Sequence, residues 1–142
     1  FQQELRQKVE NILSGRDIYE VILINEDGMI TEGSKSNFFA IREGKLFTPP
    51  LQQVLPGVTR RQILAMAAEH GIPVSEEPIY LKQIDHYEAM FISGTSPKIL
   101  PVAEFGTSKF DPQHPEIVQL RQLFDQRIDH YILSHKHICK EF

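Results

Sequence analysis

The chain has 142 residues, of which 41% are hydrophobic and 24% are charged, and its formal net charge is −4. This length predicts one domain across residues 1–142 with a real core, and the acidic balance gives no electrostatic reason to expect nucleic acid or an anionic membrane as partner. The apolar runs are too short to span a bilayer, and a single cysteine, Cys139, cannot form an internal disulfide, so we expect a protein of the reducing cytoplasm.

Hydrophobic periodicity predicts the secondary structure in chain order. We expect helices at 4–13, 59–70 and 114–133, a short helical turn at 82–87, and strands at 20–25, 29–31, 37–43, 45–48, 72–81, 88–94 and 98–106. The order lacks the regular βαβα alternation of a doubly wound fold. The sequence therefore predicts an α+β domain in which helices pack on a mainly antiparallel sheet.

The second and third helices carry start signals and apolar stripes. Thr59 and Gln62 have the spacing of a capping box, which places the start of the second helix at Thr59, and Pro115 suits the first turn of the third. The expected buried positions are Ile63, Leu64, Ala67 and Ala68 in the second helix, and Ile117, Leu120, Phe124, Ile128 and Tyr131 in the third.

Three loops are rich in small, hydrogen-bonding residues: "TEGSKSN" (31–37), "LPGVTR" (55–60) and "SGTSP" (93–97). In the second loop, a glycine frees the backbone and a helix then begins, so exposed N–H groups and the helix dipole suit a phosphate. The plainer interpretation of Thr59 is a routine helix cap. The third loop, taken alone, is an ordinary turn.

Glu32 lies between strands, where a glutamate is usually a solvated edge residue. A carboxylate near a phosphate site makes chemical sense if the ligand carries a phosphate at one end and a cation at the other. Pyridoxal 5′-phosphate is such a ligand, since a carboxylate paired to its pyridine nitrogen keeps that nitrogen protonated and lets the ring accept electrons.

The run "ITEGSKSNFFAI…GKLFTPP…VLPGVTR…GIPV…EAMFISGTSPKILPV" resembles the C-terminal half of the class IV, or fold-type IV, pyridoxal-phosphate enzymes. That family includes branched-chain aminotransferases, D-amino acid aminotransferases and aminodeoxychorismate lyase. The resemblance extends from about residue 6 to residue 104 and rests on the order and spacing of the three loops together. It implies the D-amino acid aminotransferase-like fold, with this chain as its cofactor-binding C-terminal domain.

The resemblance implies two groups of cofactor-binding residues. Around the ring, Glu32 pairs with the pyridine nitrogen, Leu55 packs on one face, and Ser36 and Asn37 line the adjoining loop.

Around the phosphate, Val58 and Thr59 supply backbone N–H groups and a hydroxyl, and Thr95 adds a further contact. Ser96 contributes near the phosphate or near the carboxylate of the substrate.

The resemblance also implies features that residues 1–142 do not contain. The lysine that forms the Schiff base falls upstream of Phe1, as does the N-terminal domain, so we expect no catalytic residue in this chain and no activity from it alone. Lys8 lies on the first predicted helix and is not a candidate for that lysine. Lys35 stands where the family usually has a small residue, and either points to solvent or reaches the substrate.

Two hypotheses about function follow. In the first, the chain is the cofactor-binding half of a branched-chain or D-amino acid aminotransferase-like enzyme, which transfers amino groups between amino acids and 2-oxo acids, or of a lyase of the aminodeoxychorismate type. The full-length protein is then expected to be a homodimer. In the second, it is a stand-alone ligand-binding domain that keeps the fold without catalysis.

The remaining motifs are weaker. His130, His135, His137 and Cys139 lie close in sequence and could hold zinc, but no further ligand set completes a site, so we expect a solvated tail and no metal. No Ser-His-Asp arrangement, P-loop or Rossmann glycine pattern is present.

Overall fold

The computed structural model describes residues 20–33, 36–50, 57–94 and 98–134, with the backbone alone described for 130–134. The strands in these ranges are β1 (Ile22–Ile24), β2 (Met29–Gly33), β3 (Asn37–Arg42), β4 (Lys45–Thr48), β5 (Val74–Glu76), β6 (Ile79–Tyr80), β7 (Ala89–Gly94), β8 (Lys98–Pro101), β9 (Glu104–Phe105) and β10 (Ser108–Lys109). The helices are α1 (Val58–Glu69), a 3₁₀ helix (Leu81–His86) and α2 (Pro115–Ser134). The predicted first helix, 4–13, lies outside the described residues.

Strands β1 to β8 form one mixed sheet, and β9 and β10 pair separately. The strands from β1 to β4 are consecutively antiparallel, as the sequence predicted, and β7 pairs antiparallel with both β3 and β8. The parallel pairing of β4 with β5 is the exception. Strand β3 is central, because β7 occupies one of its edges while β2 and β4 share the other.

The segment 72–81, predicted as one strand, forms two. It divides into β5 and β6 on either side of Glu77 and Pro78. Proline has no N–H group to donate to a ladder, so a continuous strand ends before it. The two halves then pair with different strands, β5 with β4 and β6 with β2.

A two-residue turn joins β3 to β4 and sets their register. Glu43 and Gly44 both have positive φ, 52° and 74°, as a type I′ hairpin requires. Arg42 therefore stands opposite Lys45, and Ala40 stands opposite Phe47.

Both faces of the sheet centre are covered, which explains the unbroken apolar runs of β3 and β7. On one face, α1 and α2 pack on Phe39, Ile41, Ala89 and Phe91, and we call this the helix-side core. On the other face, Phe38, Ala40, Met90 and Ile92 pack with Ile84 of the 3₁₀ helix and with Tyr87. Neither α-helix in the described ranges has the length and hydropathy that a bilayer span requires.

The buried face of α1 differs in part from the prediction. Ile63 and Ala67 are buried as predicted, and Leu64 is half-buried, but Ala68 is exposed and Met66 is buried in its place. The buried stripe is rotated relative to the predicted one, because Arg60 also faces inward. Residues three and four positions apart on a helix share a face, so Arg60 lies on the same face as Ile63, and Ile63 on the same face as Met66 and Ala67. The stripe of α2 is confirmed at Ile117, Leu120 and Phe124, with Ile128 half-buried, whereas the side chain of Tyr131 lies outside the description.

Candidate functional site

A row of polar residues crosses the sheet where the apolar part of β3 and β7 ends. Glu32 on β2 stands opposite Asn37 on β3, and Asn37 stands opposite Ser93 on β7. Residues directly opposite each other in antiparallel strands project to the same face. For Asn37 and Ser93, that face is the one α1 and α2 cover, since Phe39 and Phe91, two residues along, belong to the helix-side core. We call Glu32, Asn37 and Ser93 the polar row.

The polar row is buried to different degrees along its length. Asn37 is 8% exposed and Ser93 is 0% exposed, whereas Glu32 is half-buried. The Ser93 hydroxyl has no hydrogen-bond partner in the part of the chain that the structure describes. A buried hydroxyl without a partner costs about 1–3 kcal/mol. The row therefore contains a polar atom that a bound ligand can satisfy.

The N-terminus of α1 supplies donors at the same place. Its first intrahelical bond runs from the Arg61 N–H to the Gly57 carbonyl, 3.0 Å, so the N–H groups of Val58, Thr59 and Arg60 have no acceptor within the helix. The first turn contains no acidic residue, and no side chain among the described residues caps it. Free N–H groups at the positive end of the helix dipole attract an anion.

The predicted capping box is wrong. Gly57 is the N-cap, so the helix begins one residue before Thr59 and Thr59 is its second residue. Gln62 does not reach back to the backbone either, because its side-chain oxygen accepts a hydrogen bond from Arg127 Nε at 2.7 Å. Thr59 is therefore not the N-cap of this helix.

Gly57 brings the helix end against the polar row. A Cβ atom at position 57 would lie 2.5 Å from Asn37 Oδ1. The backbone of Gly57 is extended, with φ −113° and ψ 147°, a conformation that any residue adopts. The sequence suggested that glycine is needed here for backbone freedom, whereas the structure shows that glycine avoids a clash between a Cβ atom and Asn37.

Arg60 fixes the other side of the first turn. It is 3% exposed, and its guanidinium donates to the Pro49 carbonyl at 3.0 Å and to Glu76 Oε1 at 2.8 Å. These bonds tie α1 to the segment after β4 and to β5. Its Nε has no partner among the described residues.

Ser36 makes two hydrogen bonds at the end of the connection between β2 and β3. Its hydroxyl donates to Glu20 Oε2 at 2.9 Å, and its carbonyl accepts the Gly33 N–H at 2.7 Å. These bonds close the connection between β2 and β3. The structure thus places Ser36 beside the polar row, with its hydroxyl engaged by Glu20.

The structure brings together four of the eight predicted cofactor-binding residues: Glu32 and Asn37 on the sheet, and Val58 and Thr59 on α1. Ser36 lies in the adjoining loop. Leu55, Thr95 and Ser96 lie outside the described residues, as do Lys35, most of the possible zinc ligands and the side chain of His130. Among the described residues, no group of three His, Cys, Asp or Glu side chains is arranged to hold a metal ion.

Sequence reasoning missed Ser93 and Arg60. Ser93 is the first residue of "SGTSP", and the alternation of the strand 88–94 already places it on the face of Phe91, two residues earlier. That signal could have identified it. Arg60 gave no such signal, because arginine is seldom buried and its partners, Pro49 and Glu76, lie on other elements.

The fold belongs to a known class of protein. Residues 12–105 match the family "Amino-transferase class IV". The chain is a member of this family, as the resemblance implied.

Individual relatives agree with this assignment. A protein of Thermotoga maritima, provisionally assigned as a branched-chain-amino-acid aminotransferase, is 36% identical over 100 residues, which are 70% of this chain and 37% of that protein. The branched-chain amino acid aminotransferase of Thermobaculum terrenum, solved in its PLP form, has a TM-score of 0.75 at 27% identity, over 84% of this chain and 39% of that one.

A third relative carries a different activity in its name. A Legionella pneumophila protein, provisionally assigned as a 4-amino-4-deoxychorismate lyase, has a TM-score of 0.75 at 28% identity, over 82% of this chain and 43% of that one. The chain therefore spans well under half the length of these relatives, and the fold-type IV architecture predicted from the sequence is confirmed.

Proposed function

We propose that this chain is the cofactor-binding part of a pyridoxal-phosphate-dependent aminotransferase that acts on branched-chain amino acids. The observation that carries the proposal is the junction of the α1 N-terminus with the polar row, which places anion donors beside a carboxylate. The relatives named as branched-chain aminotransferases support the substrate class. A lyase of the aminodeoxychorismate type is the second candidate, supported by the Legionella relative.

The described residues fit pyridoxal phosphate at both ends. The N–H groups of Val58 and Thr59 suit the phosphate, and the Glu32 carboxylate suits the protonated pyridine nitrogen. Gly57, which has no Cβ, leaves the helix end in contact with the row, and the unpartnered Ser93 hydroxyl is a further group for the ligand to satisfy. By resemblance, we also assign Leu55, Thr95, Ser96, Ser36 and Asn37 to the cofactor site.

When bound, the cofactor supplies an electron sink for the bonds at the α-carbon of the amino acid. The chain's own contribution is to bind and orient. Glu32 holds a proton at the pyridine nitrogen, since an adjacent carboxylate favours the charged form of that base. The α1 N-terminus anchors the opposite end, and the packed helix-side core keeps the two ends at a fixed separation.

We further propose that the amine that forms the Schiff base comes from outside residues 1–142, and that the functional protein is a cytoplasmic homodimer. The resemblance supports these points, and the single cysteine suits a reducing compartment. Borohydride reduction in the presence of pyridoxal phosphate, followed by mass spectrometry, is expected to leave no lysine of the 142-residue chain stoichiometrically labelled. Stoichiometric labelling of one lysine together with transaminase activity would contradict this.

Activity is tested in the longest form of the protein that the cell makes. We expect transfer of the amino group of leucine, isoleucine or valine to a 2-oxo acid acceptor. Glu32→Gln is expected to keep the cofactor bound and to slow transfer at least about tenfold, equivalent to about 1.4 kcal/mol in the barrier. Glu26→Gln, in the exposed turn between β1 and β2, is the matched control and should leave the rate unchanged.

Two results would overturn the proposal. Unchanged turnover in Glu32→Gln with a normal cofactor spectrum would remove the role of the carboxylate. Release of pyruvate from aminodeoxychorismate without an acceptor, with no transfer from branched-chain amino acids, would replace the aminotransferase with the lyase.

A further inference from the structure

The contact between Asn37 and Gly57 joins two elements that carry different parts of the proposed site. Strand β3 stands beside Glu32 and Ser93 in the polar row, and α1 carries the anion donors. Asn37 Oδ1 lies where a Cβ at position 57 would be 2.5 Å away, closer than real Cβ atoms come to a neighbour. Because Gly57 has an ordinary extended backbone, this contact is the constraint that requires a glycine there.

Asn37 has little freedom to give way. Its side chain is short and 8% exposed, and at this position β3 is paired on both edges, with β2 through Glu32 and with β7 through Ser93. Backbone paired on both edges cannot shift without breaking ladder bonds, and protein interiors have few voids into which a side chain can rotate. A bulkier residue at position 57 would therefore move the end of α1 away from the sheet.

The position of that helix end matters to a ligand for two independent reasons. The N–H groups of Val58 and Thr59 lie in the first turn, directly after Gly57. The Ser93 hydroxyl, fully buried and without a partner among the described residues, lies on the neighbouring strand on the same face. N–H and O–H donors bind an anion only when they are held at hydrogen-bond distance from it, within a few tenths of an ångström of about 2.9 Å.

We propose that Asn37 is a positioning residue that fixes the gap between the anion-binding end of α1 and the polar row that carries Glu32 and Ser93. It does so by steric contact with Gly57. The distance between the α1 N-terminus and the polar row then determines how long a ligand must be to contact both. This inference rests on the proposed function, because it identifies the anion as the phosphate of the cofactor.

A double-mutant cycle in the 142-residue chain tests the contact. The variants are Gly57→Ala, Asn37→Ser and the two together, and the readouts are the Kd for inorganic phosphate and the thermal unfolding midpoint. We expect Gly57→Ala to weaken phosphate binding about tenfold or more, which corresponds to about 1.4 kcal/mol. Adding Asn37→Ser removes Oδ1 and makes room for the new Cβ, so the double variant should recover most of the lost affinity.

Gly71→Ala is the matched control, because Gly71 follows the opposite end of α1. Its φ of 70° makes alanine unfavourable, and no atom of the described residues lies within 4 Å of the added Cβ. The control should lower the unfolding midpoint and leave the Kd for phosphate unchanged. It thus separates a loss of stability from a loss of the site.

Several outcomes would overturn the inference. Additive losses in the double variant would show that the two positions do not interact, and unchanged affinity in Gly57→Ala would show that the gap is not constrained. An absence of phosphate binding by the unmodified chain would remove the anion site itself. If phosphate binds and the cycle shows rescue, but pyridoxal phosphate binds no better than phosphate, the proposed function fails while the positioning role stands.

Discussion

Two adjacent rows on the same face of β3 and β7 are built in contrasting ways. In one row, Phe39 and Phe91 are fully buried and stacked, with ring centroids 4.8 Å apart and planes inclined by 8°. In the next row, two residues along each strand, Asn37 and Ser93 are also buried, but the Ser93 hydroxyl has no partner among the described residues.

Within one sheet, the aromatic row stabilises the fold and the polar row provides groups for a ligand. The aromatic row gains free energy from burial and from ring stacking, which adds about 0.5–1.5 kcal/mol beyond the buried area. The polar row gives some of that free energy up, because a buried polar group without a partner destabilises the fold. Placing the two rows side by side gives the polar groups a rigid support.

The largest expected effect comes from breaking the aromatic row. Phe91→Ala removes a fully buried ring from the helix-side core and should lower the free energy of unfolding by about 3–5 kcal/mol. Urea denaturation measures this loss. Leu81→Ala, at a position that is 39% exposed, should cost about 0.5 kcal/mol or less. A loss below about 1 kcal/mol in Phe91→Ala would mean that this row is not the centre of the core.

The polar row should respond in the opposite direction. Ser93→Ala removes a buried hydroxyl that has no partner among the described residues and should raise the free energy of unfolding of the ligand-free chain by about 1 kcal/mol. Ser36→Ala makes the same chemical change where the hydroxyl donates to Glu20, so it should lower that free energy by a similar amount. Equal destabilisation by both changes would show that the Ser93 hydroxyl is bonded in the ligand-free protein.

A surface ion pair affects the free energy of unfolding less than either row does, and its contribution depends on pH. Glu88 accepts the Glu43 N–H at 2.8 Å and lies 3.1 Å from His114 Nε2. The hydrogen bond from Glu43, and then the bond and charge of His114, lower the pKa of Glu88 below its ordinary value of 4.5. Because the folded state binds this proton less readily than the unfolded state, the contribution is present above that value and is lost as pH falls through the lowered pKa.

Glu88→Gln should therefore remove part of the acid dependence of stability. The carboxylate is 46% exposed, so solvent screening limits the effect to a few tenths of a kcal/mol, about the size measured for exposed pairs. The free energy of unfolding is measured at about pH 3 and about pH 7, which lie below and above the ordinary carboxyl pKa. The control variant is Glu104→Gln, whose carboxylate is exposed. An identical pH dependence in Glu88→Gln and the unmodified chain would contradict the assignment.

The smallest expected effect is that of Thr59→Ala. Removal of a true N-cap threonine costs about 1 kcal/mol, but Gly57 is the cap here, so the free energy of unfolding should change by about 0.5 kcal/mol or less. The Kd for phosphate should nevertheless rise, because the hydroxyl is lost from the proposed anion site. A stability loss of a full cap without any change in phosphate binding would restore the plainer interpretation of Thr59.

The sequence predicted most of the architecture because local signals dominate it. The two apolar runs within 37–48 and the stripe of α2 each depend on residues close in the chain. The helix start at Thr59 was wrong because capping depends on backbone geometry that the pattern Thr59 to Gln62 does not determine. Ala68 was wrong because the buried Arg60 rotates the stripe of α1.

The site was predictable only in part. Glu32, Val58 and Thr59 were predicted from motifs, and their roles stay predictions, whereas the contact of Asn37 with Gly57 depends on how α1 packs over the sheet. Such a contact between distant segments leaves no local pattern, because glycine and asparagine are both ordinary loop residues. The Ser93 hydroxyl was visible in the strand alternation, but its lack of a partner is a property of the packed structure.

The most direct test of the central claim is a titration of the isotope-labelled 142-residue chain with inorganic phosphate and then with pyridoxal phosphate, followed by amide chemical shifts. We expect saturable shifts that are largest at the N–H groups of Val58 and Thr59, with a response at Ser93. Pyridoxal phosphate should saturate these shifts at a lower concentration than inorganic phosphate does. Saturable shifts confined to other parts of the chain, or none at the first turn of α1, would contradict the claim.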